Sequence, residues 1–356
     1  MGDVVMPISR DDLKGRSCWI FSDGKAGNDV QSLGVANALE LDVTIKRVEP
    51  TGIHKLLSPW IGVAHREHFG RADSVFSRPW PDVAIAIGRL TTPYIRELKR
   101  LAGDASFTVI LQDPKVALST ADLFWVPEHD QLRGPNVITT LTAPHGHTAE
   151  RFSTLRREMS AEYGALRPPR VAVLLGGSNG DYTYSARALG RLARGLAALG
   201  NNGASFMITP SRRTEPEILA CVRRATEPFP RIVWDMLGNN PYASFLACAD
   251  LFVSPADSIN MTGEPCATGR PVYVFHADGG SPKFTRFHES LERRGATRPL
   301  PVSFTRIGAW HYEPLSSAPV IAREIAVRFA QKGIERPSRN GAELRSSAHI
   351  DSHTDQ

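Results

Sequence analysis

Short apolar runs alternate along the chain with amphipathic stretches, and polar, glycine-bearing turns join them. The runs Ser17–Phe21, Val43–Val48, Val83–Ile87, Phe107–Leu111, Leu123–Val126 and Val137–Thr139 read as strands, being short and rich in Val, Ile and Phe. Helical spacing covers Val30–Glu40, with Asn28 or Asp29 as N-cap, and Tyr94–Leu101. After Arg167-Pro168-Pro169, a stiff segment suited to a linker, the same grammar restarts. Strands follow at Val171–Leu175, Ser205–Ile208, Ile232–Trp234, Leu251–Val253 and Val272–Phe275, with helices near Ser185–Leu199, Glu215–Arg224, Pro241–Cys248, Thr262–Thr268 and Phe284–Arg293. Strands that are apolar throughout, alternating with helices, predict parallel sheets covered on both faces.

The expected fold class is therefore α/β, with two Rossmann-like domains facing across a cleft. Residues 1–16 read as a loose lead-in, 17–165 as the first domain and 166–315 as the second, with the boundary near Tyr163 to Arg170. A last helix within 316–335, about Ala318–Gln331, is expected to pack back on the first domain. The Ser-, Arg-, His- and Asp-rich tail 336–356 has no periodicity and is expected to remain disordered.

Composition narrows the classes. A chain of 356 residues with 42% hydrophobic and 22% charged residues suits a soluble two-domain protein. The net charge of +5, from 42 basic and 37 acidic residues, is scattered without basic blocks, which excludes a nucleic-acid partner. It suffices for an anionic small-molecule substrate or a loose contact with a membrane surface. Cys18, Cys221, Cys248 and Cys266 form no Cys-x-x-Cys pair and no Cys/His cluster, so neither a disulfide framework nor a metal site is expected. The absence of a secretion signal and of a run of about 18 apolar residues predicts a cytoplasmic protein, at most peripheral at the inner membrane face.

Candidate chemistry sits in the turns after strands, where open parallel sheets bind ligands. Gly176-Gly177-Ser178-Asn179 follows a buried strand and precedes a helix; glycines there let backbone N–H groups approach an oxyanion, as in a diphosphate cradle. The loop lacks the Lys-Ser/Thr of a triphosphatase loop and is not Gly-x-Gly-x-x-Gly, so neither ATP hydrolysis nor NAD binding is indicated. Arg212 and Arg213, at the end of the next strand, can clamp a phosphate by forked hydrogen bonds, and residue type does not separate them. In Ser258-Ile259-Asn260-Met261-Thr262-Gly263-Glu264, a single carboxylate near a helix start can accept hydrogen bonds from both ribose hydroxyls of a nucleotide. In the first half, Asp23 is the candidate general base for an acceptor hydroxyl and Asp113 the second candidate, while Lys25, Asn28 and Gln31 are candidates to hold the acceptor. His129, His145, His147, His276 and His288 are scattered and expected to be structural.

The pattern Ser258-x5-Glu264-x4-Gly269-x-Pro271 resembles the donor-binding segment of GT-B glycosyltransferases, such as the lipid-II-forming N-acetylglucosaminyltransferase. Four ordered motifs together carry a further likeness. Ser22 to Asn28, Leu175 to Asn179, Thr209 to Thr214, and Ser258 to Met261 with Glu264 resemble the plant mitochondrial-fission factor family named for elongated mitochondria, and its bacterial relatives, over about Ser17 to Arg294. The likeness to transferases implies a sugar transferred from a nucleotide-sugar co-substrate to an unknown acceptor, cell-envelope related, without a cofactor. With no Asp-x-Asp pair, no metal is implied. The plant family implies instead a non-catalytic adaptor that recruits a dynamin-related partner.

Overall fold

The apolar runs assemble into two all-parallel, six-stranded sheets. The structure, a computed structural model, describes residues 13–334, and the sequence expectation for the tail 336–356 lies outside them. In the first half the strands are β1 Ser17–Ser22, β2 Asp42–Arg47, β3 Val83–Ile87, β4 Phe107–Leu111, β5 Leu123–Pro127 and β6 Val137–Thr140. In the second they are β7 Arg170–Leu175, β8 Tyr182–Thr183, β9 Ser205–Pro210, β10 Arg231–Val233, β11 Leu251–Pro255, β12 Val272–Phe275, β13 Asp278–Gly279 and β14 Thr297–Pro299. The helices are α1 Ala26–Ala38, α2 Gly52–Leu56, α3 Thr92–Ala102, α4 Ala149–Arg157, α5 Ala161–Gly164, α6 Ala186–Asn201, α7 Pro216–Thr226, α8 Tyr242–Cys248, α9 Ile259–Gly263, α10 Pro282–Arg293 and α11 Ser317–Lys332.

The first sheet runs β2-β1-β3-β4-β5-β6 and the second β10-β9-β7-β11-β12-β14, with β8 and β13 as a small antiparallel pair beside the latter. Strand order reverses between β1 and β3 in one sheet and between β7 and β11 in the other. Those switch points open crevices at the carboxyl ends of the strands, where ligands of such folds bind.

Burial on both faces explains why the strands read as unbroken apolar runs. Along β1, Cys18 and Ile20 join one core with α1 and α11, while Trp19 and Phe21 join an aromatic core with Phe76, Tyr94 and Phe124. Ile321, Ile325 and Phe329 of α11 are buried in the first of these cores, so the last helix packs on the first half. The helix α4 turns the other way. Phe152 is buried in the second-half core, and Arg156 pairs with Asp250 at 3.1 Å.

Local readings shift in identifiable ways. Within the segment read as a lead-in, Leu13 is buried and Gly15 N–H donates to Glu40 C=O at 2.8 Å. The helix α1 begins a turn earlier than expected, with Lys25 at the N-cap and Asn28 and Asp29 inside the first turn. Gly24 (φ +80°) turns the chain, and Asp23 accepts the Lys25 N–H ahead of the helix. Pro265 lacks an N–H and ends α9 at Gly263, so Pro265–Thr268 is a 3-10 turn rather than the end of a longer helix. The short strand β14 carries Arg298 and Pro299 and gives no apolar signal. No helix among the described residues is long and apolar enough to cross a membrane.

Candidate functional site

At the end of β1, Ser22 Oγ contacts both the Asp29 carboxylate and the Arg47 guanidinium, which pair with each other at 3.1 Å. The next residue, Asp23, has a side chain only 3% exposed; Lys25 Nζ lies 2.6 Å from Oδ2, and Asn28 Nδ2 donates to Oδ1 at 3.2 Å. Burial alone raises the Asp23 carboxyl, but the hydrogen bonds from Lys25 and Asn28 outweigh it and hold the group below the usual carboxylate range. Asp113, after β4, repeats the arrangement: its carboxylate accepts the Lys115 N–H at 2.8 Å and pairs with Lys115 Nζ.

Gln31 of α1 links these loops to the second half. Gln112 Nε2 donates to Gln31 Oε1 at 3.4 Å, and Gln31 Nε2 donates to Asn260 Oδ1 at 3.5 Å. Gly27 lies beside the same side chain, with its Cβ position in ordinary contact at 3.5 Å from Asn260 Nδ2. The structure thus brings Gln31 of the expected acceptor side against Asn260 of the expected donor side.

The loop after β7 is organised around Asp257, a carboxylate with a fully buried side chain that sequence reasoning passed over. Arg213 Nη2 lies 3.0 Å from Asp257 Oδ2, Tyr184 Oη donates to Oδ1 at 2.6 Å, Gly177 N–H donates to Oδ2 at 3.3 Å, and Asn179 Nδ2 donates to the Asp257 carbonyl at 3.1 Å. Burial first, then the Asp257 charge, pushes the Tyr184 phenol far above its ordinary value, so it remains a donor. Ser178 N–H donates to Glu215 Oε1 at 3.0 Å. Both cradle N–H groups therefore face carboxylates of the protein itself.

The glycines serve the same packing. A Cβ on Gly176 would lie 2.3 Å from Asp257 Oδ1, and one on Gly177 would lie 1.9 Å from the Arg213 carbonyl oxygen. Of the two candidate arginines, Arg213 joins this cluster, while Arg212 is exposed and forms no ion pair among the described residues.

Ser258 caps α9, its Oγ accepting the Met261 N–H at 3.3 Å, and Met261 packs on the second-half core. Glu264, at the far end of α9, is 12% exposed. Tyr242 Oη donates to Glu264 Oε2, and His147 Nε2 stands 3.9 Å from the same oxygen. Burial raises the Glu264 carboxyl to about 7 against the opposing Tyr242 hydrogen bond. Burial, with Arg151 and His145 nearby, lowers His147 to about 3, so the imidazole is neutral beside it.

Glu264, Tyr242 and His147 line a cavity of about 350 Å³ at the seam, with Val30, Leu33 and Asn37 of α1 on one wall and Asn240, Tyr242 and Glu264 on the other. That is within the range of small-ligand pockets. The Gly176–Asn179 loop and Arg213 do not line it, nor do Ser258, Asn260, Met261, Asp23, Asp113, Lys25, Asn28 and Gln31. A larger cleft of about 1080 Å³ lies at the opposite edge of the first sheet, lined by Trp19, Lys46, Arg78 and Trp80. No candidate residue reaches that cleft, and it lies at the amino ends of β1 and β3.

Of the five scattered histidines, His147 lines the seam cavity and His129, His145, His276 and His288 do not. Burial lowers His129, His145 and His288 to about 4, and also lowers His276. Arg286 Nη2 donates to the His129 carbonyl at 3.0 Å, and Lys283 pairs with Asp130 at 3.1 Å, so this strip fastens the two halves. The four cysteines are free thiols, and among the described residues no group of three His, Cys, Asp or Glu side chains could hold a metal ion.

Two parallel Rossmann-like sheets with their crevice loops at a common seam define an α/β architecture of the GT-B kind. The UDP-GlcNAc 2-epimerase of Methanocaldococcus jannaschii shares this fold with a TM-score of 0.50 at 10% identity, over 87% of this chain and 98% of that one. The chain belongs to the mitochondrial fission ELM1 family, whose profile matches residues 26–329. It is 30% identical over 286 residues to mitochondrial fission protein ELM1 of Arabidopsis thaliana, covering 74% of this chain and 67% of that protein. An uncharacterized protein of Rickettsia prowazekii is 24% identical over 353 residues, covering 88% and 98%.

Proposed function

We propose that the chain is a metal-independent glycosyltransferase that takes a nucleoside diphosphate sugar on the half spanning 166–315 and an acceptor hydroxyl on the half spanning 17–165. The seam cavity carries this reading: Glu264 and Tyr242 of the expected donor side and α1 of the expected acceptor side line one space of ligand size. Glu264, the residue that matches the ribose-binding carboxylate of GT-B donor segments, would accept the ribose hydroxyls there. In the transfer, the acceptor oxygen bonds to the anomeric carbon and the bond from that carbon to the diphosphate oxygen breaks. The acceptor proton passes to Asp23, and the nucleoside diphosphate leaves with the bonding pair.

Thermal-shift titration with UDP-, GDP- and ADP-sugars tests it, with a CMP-sugar, which carries a single phosphate, as the fourth ligand and the control for the diphosphate. A donor at about 100 times its Kd stabilises the native state by about 2.7 kcal/mol, so one nucleotide class should raise Tm by several degrees. Loss of that shift in Glu264→Ala places the donor at the seam. No shift with any of the four overturns the reading.

A non-catalytic adaptor is the second reading. What favours it is that the Gly177 and Ser178 N–H groups already face Asp257 and Glu215, which leaves an incoming diphosphate fewer free donors. On that reading no sugar nucleotide moves Tm.

A further inference from the structure

On the first half, the segment 52–61 displays apolar side chains to solvent at helical spacing. Ile53 is 59% exposed, Leu56 74%, Leu57 42% and Trp60 68%. Ile53 and Leu56 stand on α2, Leu57 follows it with its N–H donating to Ile53 C=O at 2.9 Å, and Trp60 sits on the turn beyond, its N–H donating to Leu57 C=O at 3.0 Å, so one short segment carries an exposed apolar stripe. Such a stripe normally faces a core. Here it faces outward, and the backbone beneath is clamped in that pose.

Arg89 Nη1 donates to the carbonyls of Lys55 at 3.2 Å and Ser58 at 2.9 Å, and Arg96 Nη2 donates to those of Pro59 at 3.0 Å and Ile61 at 2.8 Å. The Trp60 indole N–H reaches the Lys115 carbonyl at 3.3 Å. The exposure is therefore built in rather than the result of a fraying end.

Charge selects the occupant. No acidic residue occurs between Glu49 and Glu67, whereas His54, Lys55 and Arg66 do, and Lys55 forms no ion pair among the described residues. The apolar area, on the order of a few hundred Å², falls short of the roughly 800 Å² per partner of a standard protein interface. An interfacial anchor needs only a few inserted apolar groups, a tryptophan at headgroup level and adjacent basic charge.

We propose that the stripe Ile53-Leu56-Leu57-Trp60 seats this protein on an anionic phospholipid surface, with Lys55 at the headgroups. The proposal stands independently of the transferase reading. Its test is co-sedimentation of the full chain with phosphatidylcholine vesicles, with and without phosphatidylglycerol.

The parent chain should bind the anionic vesicles and release from them as salt rises. Leu56→Gln/Trp60→Gln should lose roughly tenfold or more of that partitioning. Lys55→Glu should weaken only the preference for anionic lipid. Because Trp60 also makes a hydrogen bond, Leu56→Gln alone serves as the control for folding; it should keep the parent Tm and still bind less. Absence of parental binding, or equal binding by Leu56→Gln, overturns the proposal. So does concentration-dependent self-association that Leu56→Gln dissolves, which would make the stripe an interface between copies.

Discussion

The Tyr242 phenol hydrogen-bonds to Glu264 Oε2 at the wall of the seam cavity, and burial holds that carboxyl near neutrality against the opposing pull of this bond. Burial first, and the Glu264 charge next, hold the phenol well above its ordinary value, so Tyr242 stays a donor throughout the accessible range. The carboxyl is the member of the pair that titrates.

Its titration has a definite sign. The folded-state pKa of about 7 lies above the ordinary value of 4.5, so the native state binds more protons between those limits and stability falls as pH rises through them. Full stabilisation is present below about 4.5 and gone above about 7. His147, lowered to about 3 from 6.5, works in the opposite direction over an overlapping window, so a bare stability profile mixes the two. Glu264→Gln separates them by fixing a neutral side chain. Its stability relative to the parent should grow by about 1–3 kcal/mol between pH 5 and pH 8, read by urea denaturation at each pH. A constant difference would mean that Glu264 ionises at its ordinary value.

The two carboxylates of the transferase reading should separate in kinetics. Glu264→Ala should weaken donor binding above about pH 7, where the carboxyl is ionised, because hydrogen bonds to a charged group in a buried site are worth about 1.5–3 kcal/mol. Asp23→Asn should leave calorimetric donor binding intact and slow turnover by about 100-fold or more, the usual share of a general base. The pH profile adds a check. Asp23, held below its usual range by Lys25 and Asn28, is ionised well under neutrality, so an acid limb in kcat/KM near pH 7 would assign proton transfer to Glu264 instead.

Close packing at the seam gives a third expectation. A Cβ on Gly34 would lie 2.6 Å from the His145 backbone carbon, so α1 can approach the chain around His145 only because position 34 carries no side chain. Gly34→Ala should cost about 1–3 kcal/mol by overpacking and open the cavity between Val30 and Glu264. Thermal melting reads the first effect. Small-angle scattering reads the second, and an unchanged Tm would rule out this contact as a constraint.

The sequence displays most of the fold, because strands buried on both faces leave unbroken apolar runs and the glycine turns mark their ends. The runs of β1, β3, β4, β7 and β11 are legible on that ground, and so is the shorter β10, whereas β14 is short and partly polar and β8 and β13 span two residues each. At the candidate site, Gln31 lies on the helix that the alternation predicts, whereas Asn260, read as part of the turn before a helix at Thr262, stands inside α9. Asp257 escaped notice although it stands just past the end of β11, since only the tertiary fold shows that Gly177, Tyr184 and Arg213 converge on it. Tyr242 and His147 escaped for the same reason: a phenol and an imidazole become partners of Glu264 only when α8 and the segment before α4 meet α9.

That convergence yields the sharpest expectation for the glycine loop. If its main role were to hold a ligand with free N–H groups, Gly177→Ala would chiefly reduce nucleotide binding. With the Arg213 carbonyl 1.9 Å from the Cβ position, the substitution must instead displace backbone, at about 2 kcal/mol or more of stability. Asp257→Asn should also destabilise, because it leaves Arg213 without its anion and replaces the acceptor for Gly177 N–H and Tyr184 Oη by an amide. Breaking a fully buried pair costs about 3–5 kcal/mol; Arg213 is 43% exposed, so about 1–3 kcal/mol is expected here. The two losses should be far from additive, since both substitutions disturb one cluster. Urea denaturation of the two single variants and the double variant measures this directly. Additive losses, or Gly177→Ala as stable as the parent, would show that the loop stands apart from Asp257 and restore it as an open cradle for phosphate.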